Sequence, residues 1–137
     1  MATTILRTSE ETIAFGHALA GKLEAGDVIA LSGELGAGKT HLVKGLAAGL
    51  GTECAVTSPT FTLIHEYRGG RLPLFHADWY RIDDEQDLMK IGMDDYLAEE
   101  GVVVVEWADK FPKALSARTR WIEFRFLEDG SREVTER

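Results

Sequence analysis

Residues 33–40 read Gly-Glu-Leu-Gly-Ala-Gly-Lys-Thr, with Lys39 and Thr40 closing an eight-residue pattern. Glycine lets consecutive backbone N–H groups turn toward an anion, and a helix that starts beside them adds the positive end of its dipole. Lys39 would then reach the β- and γ-phosphates of a nucleotide, and the Thr40 hydroxyl would ligate Mg²⁺. The spacing predicts a phosphate-binding loop (P-loop), because a plain glycine turn has no need of Lys-Thr in register.

The segments beside this loop predict a strand before it and a helix after it. Val28–Leu31 is an apolar run of strand length, and residues 40–50 predict a helix that Gly49 and Gly51 end. A strand, loop and helix in this order is the setting in which a P-loop binds phosphate.

A second acid is expected near the magnesium ion, at the end of a hydrophobic strand. Val102–Val105 predicts a central parallel strand that delivers Glu106 to the edge of the sheet where ligands bind. Glu106 could ligate the metal, act through a water or polarise the attacking water, and the sequence does not choose among these roles. A solvated acid where a core strand meets solvent is the alternative.

A third group of polar residues, His76-Ala77-Asp78-Trp79-Tyr80-Arg81, follows another predicted strand. Strand alternation puts His76, Asp78 and Tyr80 on one side of it. Asp78 could orient the hydrolytic water or a metal-bound water, and Arg81 could neutralise charge. An internal Asp78–Arg81 ion pair and a packed Tyr80 are the alternatives.

Thr60 lies among several hydroxyl residues, in a segment between the P-loop helix and the next predicted strand. Nucleotide switches often place a sensor of the γ-phosphate in such a loop, so we predict that role for Thr60. An ordinary Ser-Pro turn is the alternative.

The remaining patterns predict an α/β fold in three layers, a single domain over residues 1–137 with a mixed sheet, parallel at its centre, and a C-terminal β-hairpin. The patterns that complete it are a capping box at Thr8 and Glu11 before a helix over 12–23, a hairpin of 61–67 with 72–78, one or two short acidic helices over 83–97 divided at Gly92, and a hairpin of 120–127 with 132–135.

Composition limits the partners of the chain. Its 23 acidic and 15 basic residues give a net charge of −8, which argues against a tight direct grip on nucleic acid. Cys54 is the one cysteine, and we see neither a signal peptide nor an apolar run long enough to span a bilayer, so a cytoplasmic location is expected. None of the four histidines has the spacing of a zinc site.

In order along the chain, residues 33–40, Ser58-Pro59-Thr60-Phe61-Thr62-Leu63, residues 76–81, residues 91–96 and Glu106-Trp107 resemble the TsaE (YjeE) family, over about Thr8 to Leu127. Members of that family are small bacterial P-loop ATPases. They assist a TsaB and TsaD pair in installing the threonylcarbamoyl group on adenosine 37 of tRNAs that read ANN codons.

The resemblance implies ATP or ADP and Mg²⁺ as cofactors, TsaD and TsaB as protein partners, and tRNA contact only through that complex. It implies that Thr40 and Glu106 contact Mg²⁺ and that Lys39, Thr60, Asp78 and Glu106 serve hydrolysis. It also supports a role for Arg81, and it places residues 8–11 and Arg132 where family members approach the nucleotide. The implied nucleotide contacts are Glu34, Leu35, Gly36, Ala37, Gly38, Lys39, Thr40 and His41. His41 stands where many members have a second small hydroxyl residue, although its backbone N–H would remain available.

Two other P-loop classes compete with this interpretation. A small-molecule kinase needs an acceptor cavity and usually a basic lid over the phosphates, whereas the segment over 83–97 that could form a lid is acidic. A GTP-dependent switch would recognise guanine through Asn-Lys-x-Asp, and the chain contains no asparagine.

Overall fold

The computed structural model describes residues 2–33, 38–52 and 64–136. In these residues one mixed sheet has the strand order β1-β7-β6-β2-β5-β4-β3. The strands are β1 Ala2–Leu6, β2 Val28–Gly33, β3 Ile64–Tyr67, β4 Leu74–Asp78, β5 Val102–Glu106, β6 Arg120–Phe126 and β7 Arg132–Glu136. The helices are α1 Ser9–Ala20, α2 Lys39–Leu50, α3 Gln86–Lys90 and α4 Met93–Ala98, followed by two 3₁₀ turns at Ala108–Lys110 and Pro112–Ala114.

The centre of the sheet is parallel and its margins are antiparallel. β5 pairs in parallel with both β2 and β4, and β2 also pairs in parallel with β6. β3 returns antiparallel on β4, while β7 and then β1 extend the other margin in antiparallel pairs. All five residues of β5 are buried, as expected of a valine run with neighbours on both edges, so the predicted central strand is confirmed.

Helices cover the two faces of this sheet separately. Ile29, Leu31, Val102 and Val104 pack in one buried cluster with apolar residues of α1 and α2. The alternate residues of the same strands, such as Val103 and Val105, pack in a second cluster with α3, α4 and the 3₁₀ turns. The predicted three-layer α/β fold with a C-terminal hairpin is therefore confirmed.

The N-terminal segment differs from its prediction. α1 begins and ends earlier than the predicted 12–23 range, and β1 was not predicted at all. Thr8 caps α1 by accepting the Glu11 N–H at 3.1 Å, but the Glu11 carboxylate accepts the N–H of Arg7 at 2.6 Å rather than that of Thr8. The reciprocal half of the capping box is thus displaced by one residue, at the point where β1 leads into the helix.

The other predicted elements are present with shifted ends. β3 and β4 form the predicted hairpin, of which residues 61–63 lie outside the described part. The acidic segment forms two short helices, and Gly92 separates them in the left-handed conformation, with φ 76°. Within the described residues, no helix has the length and apolar character needed to cross a membrane.

Glycine allows α1 and α2 to approach each other closely. A Cβ atom on Gly45 would lie 2.1 Å from the Ile13 carbonyl oxygen and 2.9 Å from the His17 nitrogen. We expect Gly45→Ala to lower the free energy of unfolding by about 2 kcal/mol. The cost of the steric overlap between the new Cβ and the backbone of α1 exceeds the gain of about 1 kcal/mol in helix propensity. Urea denaturation measures the difference.

Gly21→Ala is the matched control for that substitution. Gly21 ends α1 with φ −65°, and the nearest atom to an added Cβ is 3.4 Å away. We expect it to leave stability unchanged or to raise it by about 0.4–1 kcal/mol. An equal loss in both variants would contradict the close-approach argument.

Candidate functional site

The predicted site residues meet where the central parallel strands end. In the sheet register Glu106 is the partner of Leu31 on β2 and of Asp78 on β4. β2 then leads through Gly33 toward α2, whose first residue is Lys39. Three carboxyl ends of parallel strands and one helix start therefore lie at the same edge of the sheet, which is the edge where open α/β sheets bind ligands.

The N-terminus of α2 is prepared for an anion. Gly38 precedes the helix in the left-handed conformation, with φ 101°, which a residue with a side chain rarely adopts. No side chain among the described residues caps this end, and the first turn contains no acid. Its N–H groups and the positive end of the helix dipole are therefore not neutralised by a described side chain.

Lys39 is a buried cation without a strong partner. Lys39 is only 4% exposed, and its Nζ donates to the Gly33 carbonyl oxygen at 3.2 Å. The same Nζ lies 4.4 Å from the centroid of the Trp107 indole. Burial lowers the pKa of Lys39, and the negative charges of Glu106, Asp109 and Asp78 oppose that shift. No described carboxylate forms an ion pair with Nζ. The ammonium group is therefore available to pair with an anion that binds here.

Glu106 makes a short contact with a neighbouring histidine. Its Oε2 lies 2.6 Å from Nε2 of His76, and His76 is 0% exposed. Glu106 is itself buried, although it ends its strand at the sheet edge. The alternative of an ordinary solvated acid is therefore wrong.

Asp78 occupies the same edge but is half-buried. It accepts the backbone N–H of Tyr80 at 2.9 Å through Oδ1. Burial raises the pKa of Asp78 above its usual value, the negative charge of Glu106 adds to that rise, and Tyr80, His76 and Lys39 oppose it. A carboxyl group whose pKa is raised by burial is a better proton acceptor than an exposed aspartate, which is the property that a general base needs.

Trp107 turns the chain at the end of β5. It is the one non-glycine residue with positive φ in the described residues, at 60°. Its ring packs on Tyr80, with 5.1 Å between the centroids, and lies under the Lys39 ammonium. A strained backbone at such a position is common in functional sites, where surrounding contacts hold the side chain in place.

Several predicted residues lie at this site and others cannot be located. Lys39, Asp78 and Glu106 share the sheet edge, and Gly38, Thr40 and His41 lie at the start of α2. Nδ1 of His41 is buried without a hydrogen-bond partner among the described residues. The predicted residues outside the described ranges are Glu34, Leu35, Gly36, Ala37 and Thr60.

Two further residues border the site, and sequence reasoning missed the first of them. Asp109, in the first 3₁₀ turn, acts on the charge of Lys39 and carried no motif that would have identified it. Arg132 of β7 packs against Gly38, since a Cβ there would lie 3.2 Å from Arg132 Cδ and Nε. The Arg132 Nε is buried without a described partner, so a second cationic side chain borders the start of α2.

Comparisons with known proteins identify the relatives of this chain. A family model described as "Threonylcarbamoyl adenosine biosynthesis protein TsaE" matches residues 6–134. The chain is similar to the tRNA threonylcarbamoyladenosine biosynthesis protein TsaE of Treponema pallidum, with 43% identity over 96% of each chain. It is also 44% identical to the TsaE protein of Bacillus subtilis, over 92% of this chain and 78% of that protein.

The fold has a close counterpart among solved structures. The crystal structure of YdiB from Bacillus subtilis superposes with a TM-score of 0.82 and 38% identity, over 98% of this chain and 83% of that one. The family match and the relatives that align over nearly the whole chain show that this protein belongs to the TsaE family.

Proposed function

We propose that this protein binds Mg-ATP at the edge formed by β2, β4, β5 and α2 and hydrolyses it as an accessory subunit of tRNA N6-threonylcarbamoyladenosine (position 37) biosynthesis. The pathway is supported by the names of its relatives, each a tRNA threonylcarbamoyladenosine biosynthesis protein. The observation that carries the ATPase proposal is the buried, weakly partnered Lys39 beside two strand-terminal carboxylates, Asp78 and Glu106.

The residues present fit a polyphosphate. Lys39 would exchange the Gly33 carbonyl oxygen and the Trp107 ring for phosphate oxygens, a stronger interaction for a buried ammonium. The N–H groups of the first turn of α2, including that of His41, have no acceptor within the helix and add donors that need no side chain. Residues 34–37 would supply further backbone donors, as the P-loop sequence predicts.

The residues also fit magnesium that is held jointly with phosphates. Among the described residues no group of three or more His, Cys, Asp or Glu forms a dedicated metal site. Magnesium at nucleotide sites needs only one or two protein oxygens, with phosphates and waters completing the shell. Glu106 would supply one of these oxygens and Thr40 the other, and the bound ion would neutralise charge on the transferred phosphoryl group.

Hydrolysis requires an oriented water, and Asp78 is the residue we assign to it. The Tyr80 N–H holds one oxygen of Asp78, and its other oxygen has no described donor. Asp78 would accept a hydrogen bond from the attacking water, while Lys39 would stabilise the negative charge that develops on phosphate oxygens. Thr60 is proposed as the sensor of the γ-phosphate on the basis of its sequence context alone.

We propose that the partners are TsaB and TsaD and that hydrolysis resets their complex between rounds of modification. Hydrolysis by the isolated chain would be slow, because the loop that orients the water is completed only in the assembly. The net charge of −8 favours tRNA contact through the partners rather than through this subunit.

The decisive experiment measures ATP hydrolysis by the purified chain, alone and with a TsaB–TsaD heterodimer. We expect the heterodimer to raise the rate by about 10- to 100-fold, since correct placement of a reacting group is worth that much. Asp78→Ala and Glu106→Ala should remove the stimulated rate, whereas Glu128→Ala, an exposed acid in the C-terminal turn, should keep it.

Two results would contradict the proposal. If the heterodimer leaves the rate unchanged, the protein acts without these partners. If a small-molecule acceptor collects the γ-phosphate faster than water does, the protein is a kinase.

A further inference from the structure

The imidazole of His76 lies inside the proposed site, but none of the roles proposed above uses it. Its side chain is 0% exposed. On β4 it pairs in register with Val104, and alternation places it on the same face as Asp78, toward α2. From there the ring reaches along the sheet to the end of β5, where Nε2 meets Oε2 of Glu106 at 2.6 Å.

The other ring nitrogen of His76 shows which of its contacts requires a histidine. Nδ1 of His76 is buried and has no hydrogen-bond partner among the described residues. A buried polar atom without a partner costs free energy, so an apolar side chain would fill this space more favourably. The contact between Nε2 and Glu106 is therefore the polar interaction that distinguishes histidine from an apolar residue at position 76.

The contact with His76 also makes the two carboxylate oxygens of Glu106 different from each other. Oε2 accepts from Nε2–H of His76, while no described residue donates to Oε1. The Glu106 side chain is only 9% exposed, so little solvent is available to hold the carboxylate in one orientation. His76 is thus the described group that fixes which oxygen remains available.

We infer that His76 is a positioning residue: it holds Oε2 of Glu106 so that Oε1 is presented to the magnesium ion or to one of its waters. The inference rests on the proposed Mg-nucleotide function. Carboxylates that bind metals are commonly oriented by a hydrogen bond of this kind, and its removal typically costs about 10- to 100-fold in metal affinity. In this role His76 would act through Glu106 and would not itself touch nucleotide or metal.

Two polar substitutions separate this role from packing. The amide nitrogen of His76→Gln can replace Nε2 as a donor to Glu106, whereas the shorter His76→Asn cannot reach it. We would measure the dissociation constant of the non-hydrolysable analogue AMPPNP by calorimetry, with and without Mg²⁺. The ratio of the constant without Mg²⁺ to the constant with Mg²⁺ is the tightening of binding by magnesium.

We expect His76→Asn to reduce the tightening by about tenfold, with affinity in the absence of Mg²⁺ within about threefold of wild type. His76→Gln should keep most of the tightening. In a Glu106→Gln background, His76→Asn should cause no additional loss, because the carboxylate that it positions is already gone. If His76→Asn does not fold, His76→Met, which fills the space but cannot donate, takes its place.

The outcomes distinguish the two proposals. If wild type shows tightening and His76→Asn retains it, or if affinity falls equally with and without Mg²⁺, the positioning role is overturned while the proposed function stands. Equal losses in the Gln and Asn variants would also overturn it. If wild type shows no tightening, the proposed magnesium role fails and this inference fails with it.

Discussion

Lys39→Met should abolish nucleotide binding while leaving the folded protein at least as stable as wild type. The loss of affinity should reach about 100-fold or more, because breaking a buried charge interaction costs roughly 3–5 kcal/mol. Stability should not fall with it, since the partners of Nζ are one carbonyl oxygen and the face of Trp107. Methionine fills similar space and packs well against an indole. Calorimetric titration with ADP and urea denaturation measure the two quantities.

The pH dependence of stability supplies a second test of the same residue. Burial lowers the pKa of Lys39 in the folded protein below its ordinary value of 10.5, which the unfolded chain retains. The cost of burying the charged form is therefore fully present below the folded pKa and disappears as the pH rises toward 10.5. We expect any stability advantage of Lys39→Met to be largest near neutral pH and to shrink across this alkaline range.

Lys44→Met is the matched control, because Lys44 lies on the same helix and is exposed. It should change neither nucleotide affinity nor stability by more than about 0.5 kcal/mol. A large loss of stability in Lys39→Met, or unchanged affinity for ADP, would show that Lys39 is a structural lysine.

The parts of this fold that the sequence predicts are those with a local cause. The valine run 102–105 is typical of a strand buried on both faces, and the P-loop pattern predicts a helix directly after it, where α2 begins. β1 has no such signal. Its residues, Ala-Thr-Thr-Ile-Leu, become a strand only because β7, from the other end of the chain, offers an edge to pair with.

The site follows the same rule. Motifs identify Lys39, Asp78 and Glu106, and strand order explains why the latter two become neighbours. The contact of Lys39 with Trp107 depends on the left-handed backbone conformation of Trp107, which no residue pattern predicts. The His76–Glu106 contact depends on the register between β4 and β5, which is set by packing of both faces rather than by either strand alone.

Asp78→Asn should separate hydrolysis from binding. Asparagine keeps the shape of Asp78 and can still accept the Tyr80 N–H, so the turn after β4 should persist. It cannot accept a proton from water, and loss of a general base typically costs about 10²–10⁴ in rate. We expect partner-stimulated ATP hydrolysis to fall by that amount, while affinity for AMPPNP stays the same or improves, because one negative charge near the phosphates is removed.

Asp109→Asn is the control for a charge effect without positioning, because Asp109 also acts on Lys39 but is exposed. It should keep hydrolysis within about threefold of wild type, as expected of an exposed charge screened by solvent. Equal losses of hydrolysis in both variants would mean that the site needs its total negative charge and not an aspartate aimed at water.

Stability should move opposite to hydrolysis in Asp78→Asn. The pKa of Asp78 in the folded protein is raised above its ordinary value of 3.8, mainly by burial. The ionised carboxylate therefore costs stability above the folded pKa, and the cost disappears as the pH falls through it. At neutral pH, Asp78→Asn should unfold at higher urea concentration than wild type, and the difference should vanish in acid. If the variant is inactive and also less stable, Asp78 has a structural role. If Asp78 is retained for catalysis at a cost in stability, the variant must be inactive and more stable than wild type.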